Sequence, residues 1–503
     1  MTECSISEFQ QASWLKFPFS SASARLYFYN NLKSTSAKLH AAPPIKRLLF
    51  LSLFLKPLIM DLRLQTSYKQ ILGMAMPISF AILVPQINFI TNTIFLGGLG
   101  QQSLASAGIT GVYYLIFAVV GNGLNNGVQT LIARKAGENK PKEIGHLFFH
   151  GVWISIIISV IGILLTYTIA PLILKATIRN ADIYNQVVEF NFIRIWGLPL
   201  FYLYVMRNAL LVGTNQTKLL IWGTLAETVF NIFFDYALIY GHFGFANLGF
   251  NGAAYASIIA EGAGLLVIFI VIHFKGLNKT FSLFENWKIN FDTIRHILFK
   301  SSPLILQYSL SIITWEYFYI LIEHHGDRAL AVSNTMRNIF GIFGVFSWAF
   351  AATTNTMVSN VIGQQKQEEV LPLIRKIVKL SMLCCGILTL LLNIKPEILL
   401  SFYGQDELFI AEAIPVIRIV SVALMMMSFS AIWLNAVTGT GHTKVNLTIE
   451  IITLVFYISY TYLVLEVWNM DITWGWGSEL VYWCGMFSMS FWYMRSGRWK
   501  EKK

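Results

Sequence analysis

Apolar runs of about 20 residues recur along the whole chain, separated by short polar stretches. Trp153 to Leu174, Ala256 to Ile272 and Ala411 to Leu434 each approach the roughly 17 to 25 residues that carry an α-helix across bilayer hydrocarbon. Read this way, the pattern predicts twelve spans, at 67–97, 104–134, 144–175, 183–212, 216–241, 250–274, 293–325, 328–362, 370–403, 409–438, 442–469 and 473–496. The fold class expected is an all-α polytopic membrane protein.

The pattern also repeats. Pro303 lies 303 − 77 = 226 residues after Pro77, and the same step relates Gly100 to Gly326, Leu104-Ala105 to Leu330-Ala331, and Gly137 to Gly363. It continues through Gly213-Thr214 and Gly439-Thr440, and through Thr217-Lys218 and Thr443-Lys444. Six spans per half is an even number, so both halves enter the membrane in the same direction. Such parallel repeats are related by an axis along the membrane normal and flank a central cavity in transporters. The expected organisation is an N-lobe over 61–275, a linker over 276–292 and a C-lobe over 293–503. Residues 1–60 lack helical periodicity, and Met60-Asp61-Leu62 reads as a start, so deleting 1–59 is expected to leave function intact.

Composition agrees with the pattern. Of 503 residues, 55% are hydrophobic and only 13% charged, against about 25% charged in soluble domains. The net charge of +11 is not spread evenly. Alternate loops and span ends hold Arg134, Lys135, Lys140, Lys142, Lys218, Lys275, Lys279, Lys288, Arg375 and Lys376, whereas the intervening loops hold only Lys175, Arg179, Arg328 and Lys395. The positive-inside rule then puts both termini in the cytoplasm and removes the argument for a nucleic-acid partner. The four cysteines have no metal-ligand spacing, and no phosphate-binding Gly-Lys-Ser/Thr loop is present. His242, His324, His325 and His442 fall at span ends, so no enzyme chemistry is expected and no cofactor is called for. Trp474, Trp476, Trp483 and Trp492 suit an interfacial aromatic belt.

Ionisable residues inside spans are costly and are functional candidates by default. The fifth span carries Glu227, Asn231 and Asp235 at i, i+4 and i+8, along one helical face. The sixth carries Ser257 and Glu261, and the first Asn92. At about 1.5 Å per residue, Asn92, Asp235 and Ser257 fall at one depth, roughly 8 to 9 Å below the same surface. A carboxylate, two side-chain carbonyls and a hydroxyl suit a hard cation such as Na+, and the carboxylate alone suits a proton. Glu316 is an acid deep in the seventh span.

The run from Pro77 to Leu104, including Asn92-Thr93-Ile94-Phe95-Leu96-Gly97-Gly98, resembles the first-span signature of the multidrug and toxic compound extrusion (MATE) family. Gly121 to Gly137, Gly213 to Lys218, Asn231 to Asp235 and Gly249 to Ser257 are similar to it in order and spacing, so the resemblance covers about residues 65–495. It implies two six-helix lobes and a monomeric antiporter in a bacterial inner membrane. Inward H+ or Na+ would drive export of drug-like or cationic organic compounds. It further implies an N-lobe cation site at Asp235, Asn231 and Ser257. Asn92 departs from the pattern, since many relatives have aspartate there, which leaves Asp235 as the main titratable member. Glu261, Glu227 and Glu316 are secondary candidates for proton or substrate binding, and Glu316 is out of register with the acid common in that span of relatives. The alternative reading is a lipid-linked saccharide flippase of the same wider superfamily, which would need cationic pairs deep in its cavity.

Overall fold

The computed structural model describes residues 62–285, 288–401 and 406–500, so the expectations about 1–59 lie outside it. No strand occurs among the described residues. Twelve long helices form in order: α1 (Tyr68–Gly97), α2 (Gln101–Gly137), α3 (Pro141–Thr168), α4 (Ala181–Gly213), α5 (Leu220–Tyr240) and α6 (Phe250–Phe274) make one lobe. The other comprises α7 (Phe291–Glu323), α8 (Asp327–Gly363), α9 (Val370–Ile394), α10 (Glu407–Thr440), α11 (Thr443–Val467) and α12 (Ser478–Arg495). Among the described residues, ten helices are long and apolar enough to cross a membrane. The two that complete the twelve are α5, diluted by Glu227, Asn231 and Asp235, and the short α12.

Two expected spans end early. α3 stops at Thr168 and a separate helix, Ala170–Thr177, follows, because Pro171 has no N–H to continue the ladder. The ninth span ends at Ile394 and restarts as Pro396–Ser401 for the same reason. α4 is interrupted by a 3-10 turn at Ile195–Gly197, next to Pro199. Trp476 and Trp483 are not in an interfacial belt: both are buried, Trp476 donating to Ser333 Oγ at 3.1 Å and Trp483 to Glu479 Oε2 at 3.1 Å. Trp474 and Trp492 are exposed as expected.

The repeat extends into backbone conformation. Gly100 and Gly326 precede α2 and α8 with φ of 107° and 98°. The left-handed region is uncommon for residues with a Cβ, yet it recurs at the same step in Asn139 and Gln365 (57° and 64°) and in Phe243 and Asn469 (59° and 46°). These positions share no residue identity, so what repeats is the chain path.

The apolar core continues across the lobe boundary, Ile71 and Met74 of α1 clustering with Phe350 and Met357 of α8, and the lobes meet where α2 packs on α7 and α8 and α1 packs on α8. There Thr130 Oγ1 donates to Asn355 Oδ1 (2.7 Å) and Gln129 Nε2 to Thr356 Oγ1 (2.8 Å). Gly137 lies against the carbonyl of Asn360, and Gly363 against that of Arg134, with no room for a Cβ at either. Lobe-to-lobe hydrogen bonds run from mid-membrane, at Asn126 and Tyr308, to the face where α2 and α8 end, which also carries the basic loops. On that face the lead-in to α1 lies on the opposite lobe: Leu64 N donates to Asn360 Oδ1 (3.0 Å), Asn360 Nδ2 to Leu62 O (2.8 Å) and Lys376 Nζ to Thr66 O (2.8 Å). The lead-in to α7 reciprocates, with Asn290 N donating to His150 Nε2 of α3 (2.9 Å). Each lobe is strapped by the segment that begins the other.

Candidate cation site

α1 and α5 are clamped together near the face opposite the basic loops. Tyr240 Oη donates to Phe95 O (2.7 Å), and the Phe95 ring meets those of Tyr236 and Tyr240 at 6.2 and 6.1 Å. Asn92 sits one turn below Phe95 on α1, and Asp235 and Asn231 begin one turn below Tyr240 on α5. The register of α5 against α6 is set by two glycines. A Cβ on Gly252 would lie 2.7 Å from the backbone of Leu238, and one on Gly264 would lie 3.0 Å from Glu227 Cβ and from Gly223 O. On that antiparallel register Asp235 is level with Ala256 and its neighbour Ser257.

The repeat gives an independent check on which side chains share the space. Positions 226 residues beyond Asn92, Asn231 and Ala256 are Phe318, Tyr457 and Tyr482. In the second lobe Phe318 meets Tyr457 at 6.3 Å and Tyr457 meets Tyr482 at 6.0 Å. These three positions are mutually close in the second lobe, where aromatic rings occupy them; the first lobe has two asparagines and an alanine in their place.

Those polar side chains are short of donors. Asp235 is fully buried, and both of its carboxylate oxygens are enclosed with no protein hydrogen-bond partner; Oδ1 of Asn231 and of Asn92 are in the same condition. Asn88, one turn before Asn92, adds a fourth such side chain. It was not picked out from sequence, although its i, i+4 relation to Asn92 would have shown it. Buried acceptors are nearly always satisfied. A cluster of enclosed oxygens bearing one carboxylate fits a proton or a hard cation in its donor chemistry. Among the described residues no group of three or more His, Cys, Asp or Glu side chains could hold a metal ion.

The secondary candidates are placed differently. Glu261 is engaged by Arg194 through two hydrogen bonds, Nη1 to Oε2 at 3.1 Å and Nη2 to Oε1, and the guanidinium lies 3.9 Å above the Tyr114 ring. Gly197 lies against the pair, so a Cβ there would push on the ends of both side chains. Glu227 stands one turn from Asn231 with Oε2 enclosed and unpaired, beside Tyr204, whose ring carries Arg207 at 3.7 Å. Glu316 lies in the other lobe, half-buried on α7, away from Asp235.

The family model MatE matches residues 77–237 and again 303–463, the same 226-residue step found in the sequence. The chain belongs to the MatE family. A probable multidrug resistance protein NorM of Thermotoga maritima is 23% identical over 86% of this chain and 93% of its own. One from Synechocystis is 26% identical over 60% of this chain and 66% of its own, just under two thirds of that relative's length. Among solved structures, a multidrug resistance MATE family transporter in an outward-facing conformation superposes with a TM-score of 0.79 at 18% identity, covering 87% of this chain and 96% of that one. A MOP superfamily transporter from Pyrococcus furiosus, described as having a binding pocket of reversed polarity, superposes at 0.78 with 18% identity, covering 88% and 98%. The MATE chain is thus a multi-pass membrane transporter fold of two six-helix lobes.

Proposed function

We propose that this protein is a secondary active multidrug efflux antiporter that exchanges inward H+ or Na+ for export of amphipathic or cationic organic compounds. The observation that carries the reading is the set of enclosed, donor-less oxygens around Asp235 in the first lobe. A bound proton or cation supplies what that set lacks, and releasing it leaves a buried unpaired charge, which is costly. Loading the site and emptying it therefore favour different arrangements of α1, α5 and α6, the coupling that alternating access needs. The relatives' description as multidrug resistance proteins supports the cargo class.

The basic loops favour a cytoplasmic placement for the face where the lobes are strapped together, with both termini on that side of a bacterial inner membrane. On that placement the structure is closed inward, and the site at Asp235 lies in the outer half. A monomer contains both lobes and suffices. The flippase reading needs free cationic groups deep between the helices: Arg194 is neutralised by Glu261, whereas Arg207 is fully buried with Nε and Nη1 lacking hydrogen-bond partners, so the efflux reading rests on the Asp235 site and not on the arginines. The test is efflux of a fluorescent organic cation from proteoliposomes under an imposed proton gradient or an imposed sodium gradient. One gradient is expected to drive it and so name the ion. Failure of both, across several organic cations, would count against the antiport.

A further inference from the structure

The second lobe carries a buried carboxylate that the Asp235 site does not use. Glu450 of α11 is 0% exposed, lying about 10 Å in from the basic-face end of its helix. Three side chains from two other helices donate to it: Ser311 Oγ (2.6 Å) and Tyr482 Oη (2.8 Å) to Oε1, and Gln307 Nε2 (3.0 Å) to Oε2. Asn446 holds Gln307 in turn, donating to its Oε1 at 2.8 Å.

The fold does not require this cluster. Its equivalents 226 residues earlier are Thr224 for Glu450, Ala81 for Gln307, Pro85 for Ser311 and Ala256 for Tyr482, so the first lobe packs the same helices without a carboxylate. A buried acid lacking a cationic partner is a poor device for stability. The titratable groups facing it are Tyr308 on α7, Tyr482 and Glu479 on α12, and Tyr457 on α11 itself; α10 contributes Thr438, which binds Asn446. None of these is a cation.

The surroundings accommodate both protonation states. Ionised, the carboxylate accepts all three bonds. Protonated, its O–H can donate to Ser311 Oγ, because the Ser311 hydroxyl has a second acceptor in the backbone carbonyl of Gln307 at 3.0 Å. A metal cation fits less well, since the groups around the carboxylate present donors to it. The cluster also reaches the lobe interface: Tyr308, between Gln307 and Ser311 in sequence, accepts from Asn126 Nδ2 of the first lobe at 2.9 Å.

We propose that Glu450 is a second proton-binding carboxylate, in the C-lobe, whose protonation alters the hold of α7 on the lobe interface through Tyr308. The proton adds to Oε1, the Ser311 hydroxyl turns to the backbone carbonyl of Gln307, and one bond tying α7 to α11 changes from accepted to donated. As a binding site it stands apart from the antiport reading; as a coupling proton it rests on it.

The test is infrared difference spectroscopy of the full-length protein between acid and alkaline pH, with spin labels at positions 139 and 365 reporting the lobe separation on the basic face. Wild type is expected to show a protonated-carboxyl band that Glu450→Gln loses, and Glu450→Gln is expected to lose a pH-dependent component of the label distance. An unchanged band in Glu450→Gln overturns the site. A lost band with an unchanged distance response overturns the coupling to the interface. Should Glu450→Gln fail to fold, Tyr482→Phe keeps the acid and removes one donor, so it must shift the frequency of the same band; an unshifted band again overturns the proposal. Neither readout uses a substrate or an ion gradient, so a failure of gradient-driven efflux is a separate result.

Discussion

Thr130 donates to Asn355 across the lobe interface at 2.7 Å, and the 226-residue repeat converts that pair into Thr356 with Gln129, which are joined at 2.8 Å. The pseudo-two-fold axis therefore passes between the two bonds. Both pairs are buried, and removing the Thr130 hydroxyl takes from Asn355 Oδ1 the donor that crosses the interface. Thr130→Val is expected to destabilise the closed basic face by about 1–3 kcal/mol, the cost of an unsatisfied buried polar group. The check is a lower melting temperature in detergent, with Thr356→Val giving a smaller loss because Gln129 Nε2 keeps its bond to Ala352 O (3.2 Å).

The Arg194–Glu261 pair is buried, with side-chain exposures of 12% and 8%. Breaking a buried pair from one side leaves an uncompensated charge and costs about 3–5 kcal/mol. Glu261→Gln should therefore destabilise the first lobe far more than Glu316→Gln, whose carboxylate is half-buried on α7. Thermal melting of the two variants side by side decides this, and equal melting temperatures would sink it.

Leu64 and Thr66 are joined to Asn360, Glu369 and Lys376 of the other lobe. A chain starting at Met60 keeps these bonds and should match the full chain in stability and transport. A chain starting at Ser67 loses them and should show a lower melting temperature and weaker transport. Equal behaviour of the two truncates would remove the strap from the account.

Sequence reading reached the fold through two signals, apolar run length and a constant offset between glycines and prolines, because both reflect what helices and turns demand locally. It missed the breaks at Pro171 and Pro396, where apolar composition continues although the hydrogen-bond ladder cannot. It placed Trp476 and Trp483 at an interface because composition does not say which side of a helix faces inward. For the site, depth along the helices brought Asn92, Asp235 and Ser257 to one level. Glu479 and the donors around Glu450 were not legible, since a hydrogen-bonding cluster drawn from three helices leaves no spacing in any one of them.

Asp235→Asn asks whether the buried carboxylate of the first lobe couples ion entry to export. The substitution keeps the shape of the side chain and removes the charge, so the fold should survive, as judged by an unchanged or higher melting temperature. In proteoliposomes, gradient-driven efflux of a fluorescent organic cation is expected to fall at least tenfold while the variant still binds the dye. Gradient-driven efflux at the wild-type rate in Asp235→Asn would contradict the account and move the coupling site away from the first lobe.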